Sequence, residues 1–452
     1  MRIRSMKRLA LEKLIRWKDS FRRKPSLLLG ARQVGKTWLM REFGRQCFEH
    51  VAYVRFDSDQ KARSIFKDDF DMKRILDALQ LLVGLPIESG KTLLILDEIQ
   101  ECPAALTSLK YFCEDVPELH VVAAGSLLGV EVHEGTGFPV GKVNQMMLYP
   151  MSFTEFLRGI GREQFADALQ SRDWTLVNTF HSTFAELLRR YYYIGGMPEV
   201  VDTFRQTENY ALVREVQEEL LASYQRDFSK HVSVTVSTRI AQIWKSLPSQ
   251  LSRENKKFIY KDVHPDIRRR NATEPMEWLL HSGLIHHNNR VKEPRIPFSA
   301  YEDGVFKAFV VDIGLLGAMC RLPAALLLEK NRVFGEYKGA LTEQYVLQQL
   351  LAEFGAEPYY WANESARSEI DFLLEDEQGV IPLEAKAEQN LRAKSLFAFC
   401  SKFNISKAVR TSMHPYERQE ITLKNGGICE LLDLPLYALS QLRAELSSPP
   451  AT

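Results

Sequence analysis

Ser26-Leu27-Leu28-Leu29-Gly30-Ala31-Arg32-Gln33-Val34-Gly35-Lys36-Thr37 decides the fold. The first four residues read as a short buried strand, and the next eight complete a G-x-x-x-x-G-K-[ST] loop. Trp38-Leu39-Met40-Arg41-Glu42-Phe43 then continues as a helix. A strand, loop and helix in this order turn backbone N–H groups and a helix N-terminus toward phosphate oxygens. Gly30 and Gly35 permit the backbone conformations such a loop needs, and Ala31, Arg32, Gln33 and Val34 span it between them. Lys36 is expected at the β- and γ-phosphates and the Thr37 hydroxyl on Mg²⁺. The ligand that this pattern implies is ATP with Mg²⁺.

A second stretch supports the first. Leu93-Leu94-Ile95-Leu96-Asp97-Glu98 is an apolar run ending in two acids, as expected for a central parallel strand. Asp97 is expected to hold the magnesium, and Glu98 to polarise the attacking water. Acids just beyond a strand's C-terminal end lie where ligands bind in open α/β sheets. Val51–Phe56 and His120–Ala124 are further β-rich runs separated by helical stretches, which predicts a doubly wound core. Ser126 follows the second run, placed to sense the γ-phosphate or the attacking water, and an ordinary turn serine fits the same pattern equally.

The C-terminal third carries an unrelated signature. Glu369-Ile370-Asp371-Phe372-Leu373-Leu374 predicts a strand with Asp371 on the face opposite Ile370, Phe372 and Leu374. Asp376-Glu377-Gln378-Gly379 reads as a turn, and Val380 to Lys386 returns as a second strand carrying Glu384-Ala385-Lys386. Antiparallel pairing then brings Asp371 beside Glu384, two hard oxygen donors for Mg²⁺ or Mn²⁺. Lys386 shares the Glu384 face and is expected at a scissile phosphate or nucleophilic water. Leu341–Phe354 predicts a helix with Glu343 on the face of Val346, Leu347 and Leu350, where a carboxylate needs a partner. Two readings stand: a metal-dependent nuclease site, or a nuclease fold kept as an interaction module with its acids paired to bases.

The chain resembles the prokaryotic AAA+-like P-loop ATPases joined to a C-terminal PD-(D/E)XK nuclease-fold domain of unknown function. Trp17–Phe43, Leu93 with Asp97-Glu98-Ile99-Gln100-Glu101-Cys102-Pro103, and Pro150-Met151-Ser152-Phe153-Thr154-Glu155-Phe156-Leu157 carry the resemblance. Tyr193-Ile194-Gly195-Gly196-Met197-Pro198-Glu199, Asp312-Ile313-Gly314-Leu315 and the Glu384-Ala385-Lys386 region extend it over almost the whole chain. It implies ATP binding. Where relatives tend to have Gly-Arg this chain has Gly141-Lys142, and lysine lacks the planar fork of an arginine finger.

Composition bounds the rest. A chain of 452 residues predicts two to four domains, and 45% hydrophobic with 26% charged residues suits ordinary cores. Six scattered cysteines without a C-x-x-C pair, no secretory signal and no long apolar run predict a cytoplasmic protein without a membrane span. The net charge of +1 gives no global hint of nucleic-acid binding.

The expected architecture is α/β throughout. It begins with a basic N-terminal helix (1–25), with Leu11, Leu14, Ile15 and Trp17 at helical spacing, and a P-loop NTPase parallel sheet (26–157). A helical lid (158–225) and a winged-helix-like connector domain (226–300) follow. The connector has helices at Ser237–Leu247, Tyr260–Arg268 and Thr273–Ser282 and a wing strand after Gly283. A linking stretch (301–330) leads to a restriction-endonuclease-like domain (331–440). Arg268-Arg269-Arg270 before the third connector helix is a candidate phosphate contact or a solvated run. DNA or RNA through the connector and C-terminal domains, and a homo-oligomer or protein partner, are the expected partners. The function expected is an ATP-hydrolysing machine whose cycle controls metal-dependent cleavage of nucleic acid; the alternative is an ATP-dependent switch with a non-cleaving module.

Overall fold

The computed structural model describes residues 7–126, 138–230, 232–253, 256–328, 337–355, 357–363, 368–376, 379–387 and 393–448. Residues 1–6 of the basic arm, Glu377 and Gln378 of the expected turn, and the last four residues lie outside these. Packing divides the chain into two units, Met1–Tyr149 with His281–Leu284, and Pro150–Leu280 with Ile285–Thr452.

In the first unit five parallel strands line up in the order β2-β3-β4-β1-β5. They are β1 (Ser26–Leu29), β2 (His50–Arg55), β3 (Thr92–Asp97), β4 (His120–Ala124) and β5 (Asn144–Met147). Every residue of β1, β3 and β4 is buried, which is why each reads as a mainly apolar run, with polar residues only at its ends. β5 escaped the sequence reading because Asn144 and Gln145 break that pattern on an edge strand. The helix Leu9–Lys18 buries Leu11, Leu14 and Trp17, and Trp17 meets Phe43 edge-on at 6.1 Å. Ile15, expected on the same stripe, is instead 37% exposed.

In the second unit helices Phe153–Gly159, Glu163–Ser171, Trp174–Thr179, His181–Ile194, Pro198–Thr207 and Tyr210–Asp227 come first. An eight-stranded sheet follows, ordered β12-β13-β11-β10-β9-β8-β6-β7 among the described residues. Its strands are β6 (Ile285–Val291), β7 (Glu302–Val310), β8 (Tyr359–Ala362), β9 (Glu369–Asp376), β10 (Gly379–Ala385), β11 (Lys407–Ser412), β12 (Glu417–Thr422) and β13 (Ile428–Pro435). The helix Lys394–Phe403 packs Leu396, Phe399 and Cys400 into a cluster with Ile370, Leu373 and Leu431.

Three expectations are corrected here. The helix expected over Tyr260–Arg268 is a single turn, Tyr260–Asp262, because Pro265 disfavours helix at His264. The strand expected as a wing is β6, which pairs antiparallel with β7 and parallel with β8, so it belongs to the C-terminal sheet. The stretch read as a link at 301–330 supplies β7, whose run Phe306-Lys307-Ala308-Phe309-Val310 is a strand with a charge inside it.

Strict alternation in β9 also fails. Trp361 pairs with Ile370 but Tyr359 pairs with Leu373, so β9 holds one residue more than its neighbour across this interval. Such a bulge re-aims side chains. Ile370 and Leu373 consequently share one cluster, and Asp371 lies within the irregular stretch.

The helix Tyr337–Phe354 is buried on every side from Ala340 to Leu351, not on one apolar face. Its glutamines serve backbone groups. Gln344 exchanges hydrogen bonds with both the N–H and the carbonyl of Val310, at 3.0 and 2.6 Å. Gln348 accepts from Ile313 N and donates to Asp312 Oδ2, and Gln349 accepts from Phe153 N.

Asp312 ties this node together. Its carboxylate accepts from Gly196 N at 2.6 Å and from Leu315 N at 3.1 Å. A Cβ at Gly195, where φ is +78°, would meet Asp312 Oδ1 at 2.1 Å, so only glycine admits this approach. Asp312 therefore ties the turn at Gly196, between two of the helices at 153–227, to the helix Tyr337–Phe354 within one unit.

Candidate functional site

The loop between β1 and the helix Lys36–Cys47 has the shape its sequence requires. Gly30, Gln33 and Gly35 have φ of 147°, 66° and 96°. A Cβ at Gly30 would lie 2.3 Å from the Leu148 carbonyl oxygen, so the loop's first residue is packed against the chain leaving β5. The Arg8 guanidinium donates to the Val34 carbonyl at 3.0 Å and to that of Tyr149 at 2.7 Å, fixing the loop from outside. The helix that follows starts at Gly35 without a side-chain cap. Its first amides thus face the loop, carrying the positive end of the helix dipole.

Lys36 is buried and donates to the carbonyls of Gly30 and Ala31, both at 2.9 Å. Burial pulls its pKa down to about 8, with Glu98 and Asp97 opposing the shift and Arg32 adding to it. Thr37 Oγ1 donates to Asp97 Oδ2 at 2.7 Å. Glu98 stands at φ 53°, ψ 45°, a left-handed conformation that side chains adopt at a cost and that collects at functional sites. Gln100 Nε2 donates to Glu98 Oε2 at 2.6 Å. Because β4 lies between β1 and β3, Ser126, two residues past β4, leaves the sheet between the loop strand and Asp97's strand. Lys142 pairs with Glu114 at 2.8 Å.

One residue here was missed in the sequence. The Tyr53 hydroxyl donates to Asp97 Oδ2 at 2.8 Å, and the Arg41 guanidinium lies 3.9 Å from the Tyr53 ring centroid. Only the pairing of β2 with β3 brings Tyr53 there. Open helix amides, a buried lysine and a hydroxyl–carboxylate pair at one strand end fit a magnesium-bound nucleoside triphosphate.

The second unit holds the C-terminal acids. Oxygens of Glu343, Glu369 and Asp371 lie within 4.8 Å of one another. Glu384, expected as the third member, is instead bonded to Lys386 at 2.5 Å, and Glu369 takes its place. Asp371 Oδ2 accepts from Ala385 N at 2.8 Å, and the buried Asn288 donates to the Asp371 carbonyl at 3.0 Å. Lys307, fully buried on β7, donates to Glu343 at 3.0 Å and also to Glu369. Lys256 donates to the other Glu343 oxygen.

The electrostatics follow from this crowding. Burial raises the Glu343 pKa, but Lys256 and Lys307 overcome that and bring it to about 2. Burial and then the Glu343 charge push Asp371 up to about 7. Burial lowers Lys386, while Glu384, Asp371 and Glu343 lift it above its ordinary value. With ammonium groups on Glu343 and Glu369, the donor set as arranged does not fit a divalent cation, which needs several open oxygens. Sequence reading missed Lys256, Lys307 and Glu369. The signal was present for Lys307, since a lysine inside an apolar strand demands a buried partner.

Fold and loop together define a P-loop NTPase domain. Residues 22–157 match the model of an AAA domain, residues 185–326 a domain of unknown function (DUF8612), and residues 338–437 another (DUF4143). Residues 22–157 are thus similar to AAA domains, and their P-loop ATPase fold supports ATP binding and hydrolysis. No curated protein matches the chain.

Among solved structures, a Walker-type ATPase of Pyrococcus abyssi is similar at 14% identity, covering 71% of this chain and 97% of its own, with a TM-score of 0.44. The ORC1 protein of Aeropyrum pernix, solved in complex with DNA, is 13% identical over 71% of this chain and 92% of its own, with a TM-score of 0.27. The RuvB Holliday junction branch migration motor of Thermotoga maritima is 13% identical over 66% and 88%, with a TM-score of 0.28. Likenesses this distant carry no argument about activity. No helix among the described residues is long and apolar enough to cross a membrane.

Proposed function

We propose that this chain is an ATP-hydrolysing switch whose nucleotide cycle acts on a C-terminal nuclease-fold module that engages nucleic acid. The observation that carries it is the convergence of Lys36, Thr37, Asp97 and Glu98 at one end of the parallel sheet. Lys36, with the amides that open its helix, holds phosphate oxygens. Thr37 and Asp97 hold Mg²⁺, which supplies charge neutralisation to the phosphates when bound. Glu98, tethered by Gln100, orients the attacking water and accepts its proton. Ser126 is positioned to sense the γ-phosphate or that water.

The helices at 153–227 act as the lid in this reading. Their tie through Asp312 to the helix Tyr337–Phe354 is the route by which a displacement of one would carry the other. Exposed Arg268, Arg269 and Arg270, around the start of the helix Arg269–His281, are the candidate phosphate contacts.

A second reading is favoured by a specific observation. Lysines sit on the acids that a nuclease would give to a metal, which supports a module that recruits its partner without cutting. The nucleotide reading is tested by binding of a fluorescent ATP analogue to the intact chain. Lys36→Ala is expected to lower affinity at least about tenfold with the fold retained. Unchanged affinity in a folded variant contradicts the site.

A further inference from the structure

Two lysines of the C-terminal centre come from a different part of the chain than its acids. Lys256 and Lys307 fall within residues 185–326, whereas Glu343, Glu369, Asp371 and Glu384 fall within 338–437. The first stretch supplies two cations, and the second supplies the four acids together with Lys386. The Lys307 ammonium reaches Glu343 and Glu369, two of the three acids whose oxygens cluster. A magnesium or manganese ion would need those same oxygens at about 2 Å together with its own waters.

Lys307 is not free to withdraw. Its strand is hydrogen-bonded to β6, with Lys307 opposite Asn288, and the side chain has no exposed surface. Loss of its proton is opposed as well, because Glu343, Glu369 and Asp371 outweigh the effect of burial and raise its pKa. Its ring neighbour Tyr360, with the centroid 4.8 Å from Nζ, adds a further cation-binding face.

We propose that Lys307 is the resident cation of this centre, so that the module keeps its nuclease-like acids as a metal-independent charge core completed by the preceding segment. This deepens the second reading above and rests on it for the module's use. Three ammonium groups, on Lys256, Lys307 and Lys386, then face four carboxylates without a divalent ion. Among the described residues, Glu384 Oε2 is a buried carboxylate oxygen without a hydrogen-bond partner, so Glu384 is tested beside Asp371 for any metal affinity.

Two measurements on the intact chain decide the matter. The first is a Mn²⁺ titration without nucleotide, followed by electron paramagnetic resonance, on wild type, Asp371→Asn and Glu384→Gln. The expected result is that neither substitution changes Mn²⁺ binding up to about 1 mM. A saturable site that either substitution removes overturns the proposal.

The second is thermal unfolding of Glu343→Gln in EDTA. An internal ion pair predicts a Tm lower by about 5 °C or more, because Lys256 and Lys307 lose a buried partner. A metal centre stripped of its ion predicts the reverse sign, since one of several crowded carboxylates has been neutralised. A raised or unchanged Tm therefore also overturns the proposal. ATP-analogue binding on the same samples reports the nucleotide site separately.

Discussion

Thr37 Oγ1 donates to Asp97 Oδ2 across 2.7 Å, although 60 residues separate the two in the chain. The same oxygen accepts from Tyr53, and Asp97 Oδ1 accepts from Glu98 N at 3.1 Å. The carboxylate is thereby fixed in one orientation by neighbours on three elements. Preset orientation of this kind lets a site bind charge without paying for reorganisation.

Lys36 makes nucleotide affinity depend on pH. Its folded pKa is lowered to about 8 by burial, so the ammonium that phosphate requires is lost as pH rises through that value. Affinity for an ATP analogue should fall between pH 7 and pH 9.5, with proton uptake on binding near pH 8. Calorimetry in buffers of different ionisation enthalpy measures this uptake. Lys36→Ala should show neither effect, and pH-independent wild-type binding counts against Lys36 as the contact.

Glu343 and Asp371 should move stability in opposite directions with pH. Glu343 is depressed to about 2 beside Lys256 and Lys307, so its contribution is present above its unfolded pKa and lost as pH falls through about 2. Glu343→Gln should cost about 3–5 kcal/mol at pH 7 and progressively less in acid. Asp371 is raised to about 7 by burial and Glu343, with Lys307, Lys256 and Glu369 also facing it. Its folded form holds the proton more tightly, so it favours folding below its unfolded pKa and loses this as pH rises through about 7. Asp371→Asn should therefore stabilise the chain at pH 8 and lose that advantage by pH 4. Denaturant unfolding at the three pH values checks both signs.

Asp312 should be another costly single site in the second unit. Asp312→Ala leaves Gly196 N, Leu315 N and Gln348 without their acceptor in a buried place, a loss of about 3 kcal/mol or more. The same node predicts that nucleotide binding changes amide exchange in 153–227 and 337–354 together. Exchange altered in one segment alone would break the proposed coupling.

Much of the first unit was legible because its strands are buried on both faces. Ser26–Leu29 and His120–Ala124 coincide with the observed strands, and the loop's glycines carry their own conformational requirement. The second unit was less legible. Lys307 and Glu343 are 36 residues apart, on a strand and a helix whose adjacency follows from tertiary packing and not from local pattern. The displacement within β9 was invisible too, since a one-residue bulge leaves no mark on a stretch as short as Ile370–Leu373. Tyr53 read as an ordinary strand residue until the pairing of β2 with β3 brought it to Asp97.

Steady-state ATP hydrolysis by wild type and Glu98→Gln, alongside analogue binding, tests the central claim most directly. The variant keeps Asp97, Thr37 and the loop but loses the base beside the water. It should bind ATP as wild type does and hydrolyse it at least about 100-fold more slowly. Undiminished hydrolysis by Glu98→Gln, or no hydrolysis by wild type under any partner condition, would contradict the account.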